Sequence, residues 1–363
     1  MSPAVPPLED DDLLSEILLR LPPQPSSLPR ASAVSKSWRR LVSDPAFSRR
    51  FRRHHRRNAL LLGYFHGGLG ELIFEPTLES PNRVPPSRFS LQLDDADDRY
   101  IQPLGCRHGF MLLLGRIRKQ VLVWSPITGD QHAIDTPPRF DPTKGHVNGA
   151  VLRSAIGDVQ HFKVVLVVGE HSDELNRQIL ACVYSSETGV WGNLISTPIP
   201  YRANVPTLPA KLVGHSLHWL LCGAGNLLEI LEFDLEKQRL AVIPSPVTDD
   251  VGSFTVMRAE GGGLAFLSVS GFTAQSWKRK TDSDGVASWV MGPTIELDKL
   301  LSVDSDERPT IHGFAEDNNL VFLSTPFRRF TVQVEPLQFK ELPKREMLVG
   351  LYYPFESVYA AGI

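Results

Sequence analysis

Residues Leu8 to Phe47 carry more apolar side chains than so small a unit can bury, and this constrains the fold more than any other feature. In the first of three short helical patterns, apolar residues recur at the spacing of one helix face. These residues are Leu13, Leu14, Ile17, Leu18 and Leu21. Asp10, Asp11 and Asp12 precede that face, where carboxylates cap free amides and favour the positive helix end. Three prolines then end the helix, because proline has no amide hydrogen to donate; they are Pro22, Pro23 and Pro25.

Two further helical patterns follow. The second runs from about Leu28 to Leu41, with Ala31, Val34 and Trp38 on the same side. Ser43, Asp44 and Pro45 mark the start of the third, since proline suits the first helical turn. Three helices in roughly forty residues make a marginal domain alone. The apolar face is therefore expected to bind a partner, although an ordinary helical hairpin with a private core would show the same periodicity.

The order of residues in this segment resembles the F-box, whose pattern is roughly L-P-x-D-L-L-x-E-I-L-x-R-L-P followed by S-L-x-R-x-x-x-V-C-K-x-W-R-x-L-I-x-D-P-x-F. The matching residues are Asp12–Leu14, Glu16–Leu18, Arg20–Pro22, Ser27, Leu28, Arg30, Val34, Lys36, Trp38, Arg39, Leu41, Asp44, Pro45 and Phe47. Glu9 stands in place of the usual proline and Ser35 in place of the usual cysteine. The resemblance implies docking onto a Skp1-type adaptor.

The adaptor-binding residues implied by the resemblance are apolar side chains of the helical patterns, some of them internal to the helix packing. They are Leu8, Leu13, Leu14, Ile17, Leu18, Leu21, Val34, Trp38 and Leu41.

Composition limits the remaining possibilities. A chain of 363 residues suits a small module plus a large domain. The formal net charge of −3 gives no general reason to expect nucleic acid as a partner. Three widely spaced cysteines suggest reduced thiols in the cytoplasm or nucleus. The opening residues do not resemble a signal peptide, and no stretch approaches the roughly 18 apolar residues of a spanning helix, so no membrane association is expected.

The strongest charge run is Arg49–Arg57, with the sequence RRFRRHHRR. We interpret it as the basic end of the third helix and a linker, in preference to a nuclear-import signal or a contact for acidic protein or RNA. The predicted organisation is then a disordered lead (residues 1–7), an F-box (8–48), a basic linker (49–57) and a large all-β domain (58–363).

From Asn58 onward, short apolar runs alternate with turn residues, which is typical of antiparallel strands. Five segments repeat one unit, in which two β-rich runs flank a polar turn and precede a proline. The predicted pairs are Val121–Trp124 with Gln131–Ile134, Ala181–Tyr184 with Val190–Ile195, Leu231–Phe233 with Arg239–Ile243, Ala274–Lys278 with Ala287–Val290, and Thr331–Val334 with Gln338–Leu342. Each repeat of about fifty residues has the size of a four-stranded propeller blade.

Two segments resemble the F-box-associated and kelch-like domains of plant F-box proteins: Val123–Gly129, which reads V-W-x-P-x-T-G, and Gly214–Leu220, which ends in His-Trp-Leu. We predict five blades and a sixth that combines strands near Ala59–Phe65 with strands near Leu348–Ala360. The predicted fold class is thus α+β multidomain, with a three-helix F-box and a six-bladed β-propeller. A β-sandwich or an open curved sheet is the alternative.

Enzyme motifs are absent from the sequence, which has no nucleophile elbow, phosphate loop, zinc-protease motif or dinucleotide fingerprint. We interpret Gly67–Gly70 as a turn and the acids of Asp94–Asp98 as a solvated loop. His215 and His218 are expected to pack rather than react, and the tryptophans of the β domain to pack between blades. No catalytic residue, cofactor or metal is expected.

The two resemblances together imply the substrate-recognition subunit of an SCF-type (Skp1–cullin–F-box) ubiquitin ligase. Such a chain contacts cullin indirectly and holds an unidentified target protein on the propeller. Two alternatives stay open. One is a non-catalytic nuclear or transcription-associated scaffold that binds Skp1 without ubiquitination, and the other is a propeller small-molecule receptor or enzyme.

Overall fold

The computed structural model describes residues 10–67, 72–92, 101–154, 161–171, 177–199, 208–223, 227–247, 252–343 and 350–360. Its first part is helical. The helices are α1 (Asp11–Leu19), α2 (Ser27–Ser32), α3 (Lys36–Ser43) and α4 (Pro45–His54), and a 3₁₀ turn (Arg56–Asn58) follows them. We call residues 10–58 the helical domain. Leu8, residues 1–7, Gly68–Gly70 and Asp94–Asp98 lie outside the described residues.

The helical domain has four helices where the sequence predicted three. The second pattern divides because Ser35 adopts an extended conformation and its hydroxyl accepts a hydrogen bond from the Trp38 amide, which starts a new helix. The predicted third start is confirmed, since Asp44 caps α4 and Pro45 is its first residue. Arg49 to His54 belong to α4 itself, so the larger part of the basic run is helix and not linker.

The core of the helical domain includes residues from both ends of the described chain. Leu14, Leu18, Val42 and Phe51 are among its fully buried members. Val358 and Ala360, which follow the last strand, pack into the same cluster. A segment of the large domain therefore completes the core of the small one.

The large domain is a propeller of six antiparallel sheets, whose strands are numbered in chain order. Two strands come first: β1 (Leu60–His66) and β2 (Ile73–Pro76). Blade 1 contains β3 (Ile101–Arg107), β4 (Phe110–Gly115), β5 (Gln120–Trp124) and β6 (Gln131–Asp135). Blade 2 contains β7 (Val147–Arg153), β8 (Phe162–His171), β9 (Arg177–Ser185), β10 (Val190–Trp191) and β11 (Ile195–Pro198). Blade 3 contains β12 (Lys211–Val213), β13 (Ser216–Gly223), β14 (Leu227–Asp234) and β15 (Arg239–Pro244).

The remaining strands complete the ring. Blade 4 contains β16 (Ser253–Arg258), β17 (Leu264–Ser270), β18 (Thr273–Thr281) and β19 (Ala287–Glu296), and α5 (Leu297–Leu301) follows it. Blade 5 contains β20 (Thr310–Ala315), β21 (Leu320–Ser324), β22 (Arg329–Gln333) and β23 (Gln338–Glu341). Blade 6 combines β24 (Tyr353–Ser357) with β1 and β2. All five predicted strand pairs are present as neighbours in these sheets.

Closure of the ring follows from the pairing of β1 with β24, in which Leu60 lies opposite Ser357 and Phe65 opposite Tyr353. This confirms that strands from both ends of the chain share a blade. The glycine at position 63 is required there, because a Cβ atom at this position would lie 2.2 Å from the Glu75 carbonyl oxygen. Closing a ring removes the unpaired edges that an open sheet would expose.

The apolar core of the propeller lies between neighbouring blades, where six clusters each join two adjacent sheets. Trp124 and Trp219 are buried in these clusters. Two other tryptophans bond across a blade interface: the Trp191 indole donates to the Asp135 carbonyl at 2.9 Å, and the Trp289 indole donates to the Pro244 carbonyl at 2.8 Å. The predicted role of the tryptophans in blade packing is confirmed at these four positions.

Candidate functional site

Three large apolar side chains of the helical domain face solvent. Leu13 is 50% exposed and Ile17 43%, and these residues lie one turn apart on α1. Val34, between α2 and α3, is 63% exposed. We call Leu13, Ile17 and Val34 the exposed apolar set. Neighbouring exposed apolar side chains, such as Leu13 and Ile17 on one helix face, are typical of a surface that contacts another protein.

The structure divides the predicted adaptor-binding residues by burial. Besides the exposed apolar set, Leu21, Trp38 and Leu41 are half-buried and pack on the edge of the core. Leu14 and Leu18 are fully buried, so they support the helices from inside and offer no contact surface. Leu8 lies outside the described residues.

Polar contacts hold α1 against the helices that follow it. The Arg40 guanidinium lies 2.6 Å from the Asp11 carboxylate and joins α3 to the start of α1. Arg50 on α4 donates to the Ser15 hydroxyl at 3.0 Å and to the Glu16 carboxylate at 2.7 Å. Exposed ion pairs add little to stability, but they help fix the relative placement of these helices.

The helical domain is attached to the propeller at several points. The Ser26 amide and hydroxyl donate to the Asn82 side-chain oxygen at 3.2 and 2.7 Å. Arg52 Nη1 donates to the Ala360 carbonyl at 3.2 Å, beside the Val358 and Ala360 side chains already described. The exposed apolar set is thus carried at a defined position relative to the blades.

A buried ion pair crosses the central channel of the propeller. Arg107, at the end of β3, donates to both carboxylate oxygens of Glu316 at 2.8 and 2.5 Å and to the Ala210 carbonyl at 2.8 Å. Burial opposes ionisation of Glu316, but the Arg107 guanidinium outweighs it and lowers the pKa of that carboxyl. Burial lowers the pKa of the neighbouring Lys211 to about 8. These charged side chains join blades 1, 3 and 5 across the channel.

The two ends of the channel differ. At the beginnings of the inner strands, Leu208, Lys211, Phe254 and Tyr352 line a depression of about 40 Å³. We call this end the distal face, because the helical domain lies at the opposite end, beyond the ends of β7, β16 and β24. The depression is far smaller than the roughly 300–1,000 Å³ of small-molecule sites.

The turns between the second and third strands of blades 1 and 5 also lie at the distal face, and both carry exposed apolar side chains. Ile117 between β4 and β5 is 48% exposed, and Phe327 between β21 and β22 is 65% exposed. His218, expected to pack rather than react, is buried, and burial lowers its pKa. Among the described residues, no group of acids, histidines and cysteines fits a metal ion, and no helix is long and apolar enough to cross a membrane.

Comparison with known proteins agrees with this architecture. Residues 10–50 match the model of the F-box domain, so the chain has the two-domain architecture of an F-box protein with a propeller. Residues 82–278 match the model described as F-box protein At3g26010-like, beta-propeller. The chain belongs to this family of F-box proteins.

Two plant relatives are similar over most of the chain. F-box protein At5g03970 of Arabidopsis thaliana is 22% identical over 284 residues, which cover 75% of this chain and 65% of that protein. The chain thus spans just under two thirds of that relative. Putative F-box/kelch-repeat protein At1g15680 of the same plant is 24% identical over 320 residues, covering 79% of this chain and 72% of the relative. Among solved structures, the PQQ-bound aldose sugar dehydrogenase of Streptomyces coelicolor aligns at 12% identity with a TM-score of 0.36, covering 67% of this chain and 81% of that one.

Proposed function

We propose that the chain is the substrate-recognition subunit of an SCF-type ubiquitin ligase. The helical domain docks onto a Skp1-type adaptor, which connects the chain to cullin, and the propeller holds a target protein. The chain itself performs no chemistry. Its contribution is proximity, which raises the effective concentration of the target near a ubiquitin-conjugating enzyme.

The observation that carries this proposal is the exposed apolar set. The remaining large apolar side chains of the described helical domain pack into its core or lie at the edge of that core, yet Leu13, Ile17 and Val34 remain in solvent. Burying each aliphatic side chain in a complex contributes about 1.5–3 kcal/mol. A partner that covers all three would gain a substantial part of its binding free energy there.

The placement of the helical domain supports a division of roles. The Ser26–Asn82 bonds and the packing of Val358 fix this domain at one end of the propeller. Among the described residues, no part of the helical domain lines the distal face, which presents Ile117 and Phe327 and is the surface we assign to the target protein. Adaptor and target can therefore bind without competing for space.

The adaptor interface can be tested with the triple variant Leu13→Gln, Ile17→Gln and Val34→Gln. We expect its affinity for a recombinant Skp1-type adaptor, measured by calorimetry, to fall at least about 100-fold, since about 1.4 kcal/mol corresponds to tenfold. The melting temperature should change little, because these side chains are exposed. Unchanged adaptor affinity would contradict the assignment of this surface.

A matched control separates the two surfaces. The variant Ile117→Gln, Phe327→Gln should bind adaptor as the wild type does and lose target proteins in affinity purification. If affinity purification of the wild-type chain recovers adaptor without any cullin, the ligase function is contradicted and a scaffold is indicated instead.

We also propose that the chain works in the cytoplasm, the nucleus or both. The proposal is supported by the three cysteines, Cys106, Cys182 and Cys222, which are widely spaced and odd in number. Fluorescence microscopy of a tagged chain should show one or both of these locations, and confinement to the secretory pathway would refute the proposal.

A further inference from the structure

A cavity of about 510 Å³ lies between the helical domain and the end of the central channel nearest to it. Arg52, Arg56 and Arg57 line it from α4 and the 3₁₀ turn. Arg153 and Arg258, at the ends of β7 and β16, line it from the propeller. Its volume is within the usual range of small-molecule sites. We call it the arginine cavity.

The arginine cavity concentrates positive charge that the described residues neutralise only in part. Among the residues that the structure describes, none of its five arginines forms an ion pair within 4 Å with an acid. Burial lowers the pKa of Arg153, and the neighbouring charges of Arg52 and Arg56 lower it further. Guanidinium groups that repel one another in a partly buried site are unfavourable unless an anion joins them.

Two buried donors in this cluster have no acceptor in the described protein. Arg52 bonds the Ala360 carbonyl through Nη1, and Arg153 bonds the His108 carbonyl through Nη2 at 2.9 Å. The Nε atoms of both arginines are buried and have no hydrogen-bond partner. A buried donor without a partner is costly and rare in native proteins. Each guanidinium is thus anchored at one nitrogen and retains donors for another group.

The acids of the cavity offset little of this charge. The Glu356 carboxylate accepts hydrogen bonds from the Asp317 amide at 3.0 Å and from the Asn318 amide and side chain, both at 2.7 Å. Burial, with the nearby Asp317, raises the pKa of Glu356 to about 7, so this group is only partly ionised near neutral pH. Five guanidinium groups therefore exceed the negative charge available from Asp317 and Glu356.

We propose that the arginine cavity binds a small molecule that carries at least two phosphate groups. Arginine presents a rigid fork of N–H donors that matches phosphate oxygens, and such charge-assisted bonds are the strong ones. A single phosphate, with a charge of about −2, would not balance the five guanidinium groups even together with Asp317 and Glu356. Burial lowers the pKa of His108 to about 4, so this residue adds no charge of its own near neutral pH.

The ligand would join the two domains. Because Arg56 belongs to the helical side of the cavity and Arg153 to the propeller, one bound anion can contact both. It would stiffen the connection and hold the exposed apolar set at a fixed distance from the distal face. Binding of a phosphorylated metabolite would in this way strengthen the attachment of the helical domain to the propeller, whether or not the chain serves a ubiquitin ligase.

Calorimetry on the full chain at constant ionic strength tests the proposal, with inorganic tripolyphosphate, pyrophosphate and orthophosphate as probes. We expect affinity to increase in the order orthophosphate, pyrophosphate, tripolyphosphate. The double variant Arg56→Gln, Arg153→Gln should bind tripolyphosphate at least tenfold more weakly. Arg39→Gln, Arg239→Gln removes the same charge from exposed positions outside the cavity and should bind as the wild type does.

Hydrogen exchange locates the site independently of affinity. Tripolyphosphate should slow exchange at Arg56–Asn58 and at the turn between β3 and β4, and leave the exchange of β19 unchanged. ATP in place of tripolyphosphate then distinguishes a nucleotide from a plain polyphosphate. Absence of binding at millimolar tripolyphosphate, or equal loss in both double variants, would overturn the proposal. Binding of a doubly phosphorylated peptide that tripolyphosphate cannot displace would also overturn it, in favour of a protein ligand.

Discussion

The helical domain and the propeller differ in how they bury apolar side chains. The propeller supplies its own partners, because each blade packs on the next and the pairing of β1 with β24 closes the ring. The helical domain does not: it takes Val358 and Ala360 from the end of the propeller into its core, and it still leaves Leu13 and Ile17 in solvent. The helical domain therefore depends on neighbours at two surfaces. The propeller depends on one closing contact, the pairing of β1 with β24.

Removing the pairing of β1 with β24 should have the largest effect on stability. Deletion of Met347–Ile363 takes away β24, including the fully buried Phe355, and exposes the edge of β1. We expect the cooperative thermal transition to disappear and adaptor binding to fall with it, as measured by calorimetric melting and a pull-down. A protease-resistant propeller with an unchanged melting temperature would show that closure is dispensable.

Breaking the channel ion pair should destabilise the propeller by less. Glu316→Gln leaves the Arg107 guanidinium buried beside a neutral group, which costs about 3–5 kcal/mol. Replacing both with Arg107→Met, Glu316→Met removes the uncompensated charge, and most of the loss should be recovered. Urea denaturation of the two variants measures the difference. Equal destabilisation would mean that packing, not charge, accounts for the lost stability.

The carboxyl group of Glu356 should make the stability of the closing blade depend on pH. Its pKa in the folded chain is raised from 4.5 to about 7, so the folded state holds the proton more tightly than the unfolded state. The contribution is fully present below about pH 4.5 and is lost as pH rises through 7, which amounts to about 3 kcal/mol at most. Urea midpoints measured from pH 5 to 8 should fall in the wild type and change less in Glu356→Gln. Parallel profiles would contradict this assignment.

The smallest effect on stability is expected for a single substitution in the core of the helical domain, and it distinguishes that core from the core of the propeller. Val358→Ala removes two buried carbon atoms from the core of the helical domain and should cost about 1–2 kcal/mol. Hydrogen exchange should speed up in α1 and α4 while the propeller strands stay protected. Val321→Ala, the same change inside blade 5, should speed exchange in the propeller instead. Identical exchange patterns would mean that the two domains unfold as one unit.

Local patterns predicted the helical domain and the outer strand pairs, because both depend on residues close in sequence. The strands β5 and β6 pair across a single turn, and the apolar face of α1 lies within a single helix. The inner strands β7 and β16 were not predicted, because their positions in the ring are set by contacts with the neighbouring blades, whose residues are remote in sequence. The division of the second helical pattern at Ser35 depends on a single side-chain bond, which periodicity does not reveal.

The arginine cavity could not be predicted for the same reason. Arg52 and Arg153 are far apart in sequence, and only the attachment of the helical domain to the propeller brings them together. The basic run was interpreted as a helix end and linker, and most of its side chains are indeed exposed. Arg52 differs because its guanidinium donates to the carbonyl of Ala360, which follows the last strand of the propeller.

Because the two domains share a core, the helical domain is synthesised first but cannot complete its packing until the propeller is finished. A ribosome releases α1 to α4 before any blade, yet Val358 and Ala360 leave it only after the last strand. The helical domain therefore waits in an unfinished form while the propeller is synthesised, and its final packing coincides with closure of the ring. Residues 10–58 fused to another protein would lack the Val358 and Ala360 side chains that complete their core. A functional fusion must therefore include the segment Val358–Ala360 as well as the helices.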